Sequence, residues 1–195
     1  MQKLILPINN SRVTASYKNS AYRNKFGFTH YGCDIISVIG NTVVYGSGNG
    51  SVVDTGLDSV VGNVIVVSYP EAYNHLTDSY HDITVRYYHL DQITISPGAT
   101  VTKDTVLGHY GNTGVLVMGK HLHIEVDKDT SFPLYSPTVR RSSFLKGTYL
   151  GAVDKDMTDP LQWLYAKTSD PDKQTYSTTN DAFINSENNI LPTLV

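Results

Sequence analysis

Residues 119–126 read Gly119-Lys120-His121-Leu122-His123-Ile124-Glu125-Val126. From Leu122 onward apolar and polar residues alternate with period two. That is the period of a β-strand with one buried face, because successive side chains point to opposite sides. Leu122, Ile124 and Val126 would fill a core, and His121, His123 and Glu125 would share the other face. Outward from this strand the same kind of text recurs. Asn41–Tyr45, Gly50–Asp54, Asn63–Tyr69, Ile83–His89 and Thr105–Tyr110 are short apolar or aromatic runs set between Gly, Asn, Asp and Pro. With 14 Tyr and 15 Gly against one Trp, the composition also favours pleated strands and tight turns. No segment holds a helical period for long. The best helix is Leu161–Tyr165, with Asp159 as cap and Pro160 at the first helical position.

The 195 residues suit one domain with a sizeable core. A net charge of -3 gives no basic footprint for a nucleic acid. No apolar run is long enough to span a membrane. Leu4-Ile5-Leu6, stopped by Pro7, is too short for a signal-peptide core. The expected routes out of a cell are therefore a trimmed signal, or release with a phage or its particle. The lone Cys33 excludes an internal disulfide and a cysteine-based zinc site. Glu71–Asp82 reads as a loop inserted between two strands. From residue 166 the text turns rich in Ser, Thr, Asn and Asp, so 166–195 is expected to be a polar tail or linker.

Four of the seven histidines fall in a pattern. His30 precedes Asp34 by four residues, His121 and His123 stand two apart, and His89 follows Tyr87-Tyr88. A His-x-His pair on a strand is more often a solvent-facing row than a metal site. Read together, however, two histidines and one carboxylate make the three-ligand set of a catalytic zinc site, which leaves one coordination position open. Two further histidines remain, and imidazoles suit proton transfer near neutral pH.

The chain resembles the M23 metallopeptidases, the family of LytM and lysostaphin. The matching pieces are His30-x-x-x-Asp34, Tyr87-Tyr88-His89-Leu90 and Gly119 to Glu125. Between them stand Ile95-Ser96-Pro97-Gly98-Ala99-Thr100-Val101, Leu107-Gly108 and Gly111-Asn112-Thr113-Gly114, and Asp159-Pro160-Leu161 closes the series. The pieces span roughly residues 5 to 165 in the family's order. The resemblance implies that His30, Asp34 and His123 ligate one zinc ion per chain, and that His121 and His89 are catalytic. It implies hydrolysis of peptide bonds in bacterial peptidoglycan, in stem or cross-bridge peptides, by water on the zinc with those two histidines assisting. It also implies a peptidase domain over 1–165 and an extracellular or cell-wall location. The fold expected is all-β, an antiparallel sheet forming a two-layer or barrel-like core with a substrate groove and few short helices. The alternative is a catalytically silent domain of the same fold that binds cell wall or regulates a partner hydrolase.

Three features depart from the family's usual text. Cys33 stands beside Asp34 and is expected to be a small buried apolar residue. Val115-Leu116-Val117-Met118 replaces a serine-containing stretch and would alter the groove wall. The Glu71–Asp82 segment is longer than usual, and its His75 and His81 are expected in solvent. Tyr22 is a candidate for the oxyanion side of the site, His109 has no assigned role, and Glu125 divides evenly between orienting a histidine and the ordinary alternatives of a salt bridge or solvent exposure.

Overall fold

The computed structural model describes residues 1–139, 143–147, 154–167 and 193–194. Its elements are β1 (Leu4–Ile5), β2 (Ser11–Ala15), α1 (Ser20–Phe26), β3 (Cys33–Ser37), β4 (Val43–Tyr45), β5 (Gly50–Asp58), β6 (Gly62–Asn74), β7 (Ser79–Ile93), β8 (Thr100–Val101), β9 (Val106–Tyr110), β10 (Leu122–Asp127), β11 (Met157–Thr158), β12 (Leu164–Lys167) and β13 (Thr193–Leu194). The fold is all-β. A ten-stranded sheet runs in the order β2-β3-β10-β7-β6-β5-β8 along its main path, with every pairing antiparallel. A smaller parallel sheet joins β1, β12 and β13.

The long strand β7 organises the site. β6 pairs along one edge of it. Its other edge is shared, first by β10 from Thr84 to Tyr88, then by β9 from Leu90 to Ile93. The two partners part at His89. There β7 breaks register, and His89 adopts φ 62, in the left-handed region that few residues other than glycine enter. The kink breaks the alternation of side chains. Tyr87 and Leu90 face the main core, whereas Tyr88 and His89 both line the pocket on the opposite side.

That main core takes Leu122, Ile124 and Val126 from β10, with Ile35, Val85, Val44 and Leu107. Burying each such side chain contributes about 1.5–3 kcal/mol. The polar row of β10 does not face solvent. A second cluster of Val61, Val64, Val66, Tyr88, Val139 and Leu145 covers the sheet on its side, and every residue of β10 is buried.

Two local expectations change. Leu161–Tyr165 does not form a helix: Asp159 caps a single 3-10 turn, Pro160–Gln162, and the chain then extends into β12. Parallel pairing of Leu164 and Tyr165 with Leu4 and Ile5 overrides the helix signal. The Glu71–Asp82 segment is mostly the continuation of β6 and β7, joined by a turn at 75–78. The tail expected over 166–195 lies outside the described residues, except Ala166–Lys167 and Thr193–Leu194, which pair with one another.

Candidate metal centre

Strand register brings the first two candidates together. In the β3–β10 pair Asp34 stands directly opposite His123, and Asp34 Oδ1 lies 2.8 Å from His123 Nδ1. The neighbours Cys33 and Ile124, also paired, face the core, so Cys33 is fully buried away from the polar group. His30 reaches in from the loop after α1. Its Nε2 lies 3.1 Å from Asp34 Oδ1 and 3.1 Å from His123 Nδ1. One donor atom from each of His30, Asp34 and His123 therefore lies within 4.8 Å of the others, and all three residues are buried.

α1 sets where His30 sits. Asn19 caps this helix by accepting from the Tyr22 N–H at 2.9 Å, and Gly27 ends it in a left-handed conformation. The turn carries Tyr22 onto the His30 ring, stacked at 4.3 Å between centroids. His30 Nδ1 donates to the carbonyl of Ser16 at 2.9 Å, which fixes the proton on that side and leaves Nε2 as a lone pair.

His121 and His89 stand beside this group. His121 Nε2 is 3.6 Å from Asp34 Oδ1, and its ring keeps 14% of its side-chain surface in solvent. The rings of His89 and His121 meet edge to face at 4.9 Å. Each donates its Nδ1–H to a backbone carbonyl at 2.9 Å, His89 to Thr113 and His121 to Gly119. All five residues marked in the sequence are thus in one place.

The electrostatics follow from burial and proximity. Burial lowers the pKa of His89 to about 4, helped by His123 and His121. For His123 burial, the largest influence, opposes protonation, but Asp34 and Glu125 outweigh it and raise the pKa to about 9. Burial likewise disfavours charge on Asp34, yet the surrounding histidines hold its carboxyl well below the usual range.

This donor set fits a divalent cation such as zinc. A carboxylate oxygen and two imidazole nitrogens, His30 Nε2 and His123 Nδ1, converge in a buried space, where a divalent cation can take the place of the proton that Asp34 and Glu125 hold on His123. Two histidine nitrogens and one carboxylate oxygen are also ligand types that zinc accepts.

A groove of about 530 Å³ leads to the group. Tyr22, Phe26, Phe28 and Ile36 line it together with Val115 to Met118, and Asp34 and His121 belong to its lining as well. The altered stretch is therefore the groove wall, as expected. His75 is not simply solvated: its Nε2 stands 2.6 Å from the Leu161 carbonyl oxygen. His81 is exposed at the Trp163 edge, and His109 pairs with the Thr42 hydroxyl.

Glu125 is fully buried and accepts from the hydroxyls of Tyr88, Ser136 and Thr138, so it is no surface ion pair. Gly32 was not singled out by the sequence. A Cβ there would lie 2.2 Å from the Ile124 carbonyl oxygen and 2.6 Å from His123 Nε2.

An all-β scaffold holding a His-Asp-His group with two further histidines defines the class. The chain belongs to peptidase family M23, whose family model matches residues 28–133, more than half of the chain and all five candidate residues. Peptidoglycan DD-endopeptidase ShyA of Vibrio cholerae is 37% identical over 97 residues, covering 50% of this chain and 20% of that protein. The chain thus spans about a fifth of the length of the curated relatives it matches. A zinc-containing peptidase from Vibrio cholerae superimposes with a TM-score of 0.51 at 25% identity, over 64% of this chain and 36% of that one. The SpoIIQ–SpoIIIAH complex gives a TM-score of 0.56 at 19% identity, over 84% and 92%, a likeness of fold alone.

Proposed function

We propose that the protein is a zinc-dependent endopeptidase that hydrolyses peptide bonds in bacterial peptidoglycan, in stem or cross-bridge peptides, at the cell wall or outside the cell. The observation that carries this reading is the convergence of His30 Nε2, Asp34 Oδ1 and His123 Nδ1 in a pocket that shares Tyr22, Asp34 and His121 with an open groove. The wall as target is supported by the similarity to peptidoglycan DD-endopeptidase ShyA over half of the chain.

His30, Asp34 and His123 would hold one zinc ion per chain. Bound there, zinc supplies Lewis-acid polarisation of the scissile carbonyl and acidifies water in the site. The remaining work falls to protein groups. His121 lines the groove and His89 does not, so His121 would be the histidine that meets the substrate and takes a proton from the attacking water. His89 sits behind His121, with its Nδ1–H held by Thr113 and its Nε2 unprotonated at neutral pH. Tyr22, stacked on His30 and lining both the groove and the inner pocket, would stand on the oxyanion side of a bound peptide. The groove suits an extended peptide, and its aromatic and aliphatic walls exclude water from the reacting bond.

The test is digestion of purified cell walls, with and without chelator, scored by new amino termini and by mass of the released fragments. The reading predicts chelator-sensitive release of amines, restored by zinc. One equivalent of bound zinc with no new amines from any wall type would instead favour the silent wall-binding domain.

A further inference from the structure

Three of the four clustered histidines are oriented by backbone carbonyls, those of Ser16, Thr113 and Gly119. His123 is the exception. Its Nδ1 faces Asp34 and His30, so its Nε2 points away from the group. This Nε2 is buried and has no hydrogen-bond partner. The carboxylate facing it is Glu125, with Oε1 at 3.6 Å.

We propose that Glu125 is a positioning residue for the metal centre. With a metal bound, it would keep the one remaining proton of His123 on Nε2 and so free Nδ1, the nitrogen that faces Asp34 and His30, for the metal. The inference rests on the metal reading above. Four observations support it. Glu125 lies two residues after His123 on β10, so both side chains share a face. Its carboxylate is held by donors only: Tyr88 Oη at 2.7 Å on Oε2, and Ser136 Oγ at 3.1 Å and Thr138 Oγ1 at 2.5 Å on Oε1. A carboxylate gripped by three hydroxyls, with the Arg86 guanidinium 3.9 Å away, stays ionised and can only accept. An ionised oxygen facing Nε2 repels a lone pair there and attracts an N–H. Finally, Gly32 closes that side of the ring, since even a methyl group at 32 would strike Nε2. Tyr88 completes the device, stacking flat on His123 at 5.2 Å while its hydroxyl holds Glu125. Outer partners of this kind orient metal-binding histidines and raise their basicity, and their loss typically costs 10–100-fold in affinity.

The test uses Glu125→Gln and Thr138→Val in the full chain. Zinc affinity is measured by competition with a chromophoric chelator, and the protonated nitrogen of His123 by ¹⁵N NMR of the zinc-loaded protein. Unfolding of the metal-free forms is followed alongside. The proposal predicts about tenfold or greater weakening in Glu125→Gln, a smaller loss in Thr138→Val, and an Nε2–H signal in the parent. Affinity within twofold of the parent, or a proton on Nδ1, would overturn it. If Glu125→Gln does not fold, Thr138→Val decides: weaker zinc binding supports the proposal, and unchanged binding contradicts it. A parent that binds no zinc sinks the metal reading and this inference together. A parent that binds zinc but cleaves nothing sinks the endopeptidase reading alone.

Discussion

Gly32 decides whether the His123 ring can lie where it does. With so little space at its Cα, Gly32→Ala must push His123 or β10 aside. The expected result is a loss of about 1–3 kcal/mol in unfolding free energy together with weaker zinc binding, read by denaturant titration and by chelator competition. His89 carries a pH signature in the metal-free protein. Its pKa is about 4 when folded and near 6.5 when unfolded. Between those values the unfolded chain holds more protons, so stability falls as pH drops through the window. The contribution is complete above pH ~6.5 and is about 3 kcal/mol in order of magnitude. His89→Asn, which tolerates the left-handed backbone, should flatten the stability difference between pH 6.5 and 4. Measuring variant against parent cancels Asp159, whose carboxyl burial raises to about 6. At this scale the five candidate residues were legible, because their spacing survives in the text. Gly32 was not, and Glu125 was legible only as one of two even readings. The role of Glu125 depends on Tyr88, Ser136 and Thr138, and that of Gly32 on His123, none of which local sequence brings together.

The strands around β6, β7, β9 and β10 were legible from alternation and turn residues. Their ends were not, since β6 and β7 extend together into a hairpin that polar residues at 71–82 disguise. β2 and β3 escaped notice although β3 carries Asp34. α1 also escaped, being seven residues long with no buried residue to mark a period. Its signals were the bounding Asn19 and Gly27. Removing that cap gives an element-scale prediction. Asn19→Ala leaves the Tyr22 N–H without its partner and should cost about 1 kcal/mol. It should also loosen Tyr22 from His30, seen as a lowered melting temperature and a modest drop in zinc affinity. An unchanged melting temperature would mean that the helix is held by packing alone.

Across the whole molecule, the sheet supplies a rigid floor and the segment at 115–118 a variable wall. Val115 and Met118 are 76% and 74% exposed, so they are costly to leave in water unless a ligand covers them. Val115→Ser with Met118→Ser should raise KM for wall fragments several-fold and leave zinc content unchanged. Loss of zinc in that variant would show that the wall supports the centre itself. The division of labour within the site is tested most directly by zinc stoichiometry and turnover in single variants. His30→Ala and Asp34→Ala should lose the metal. His121→Ala should keep one zinc per chain and lose cleavage. If His121→Ala releases zinc as readily as Asp34→Ala does, the assignment of His30, Asp34 and His123 to the metal and of His121 to the substrate is wrong.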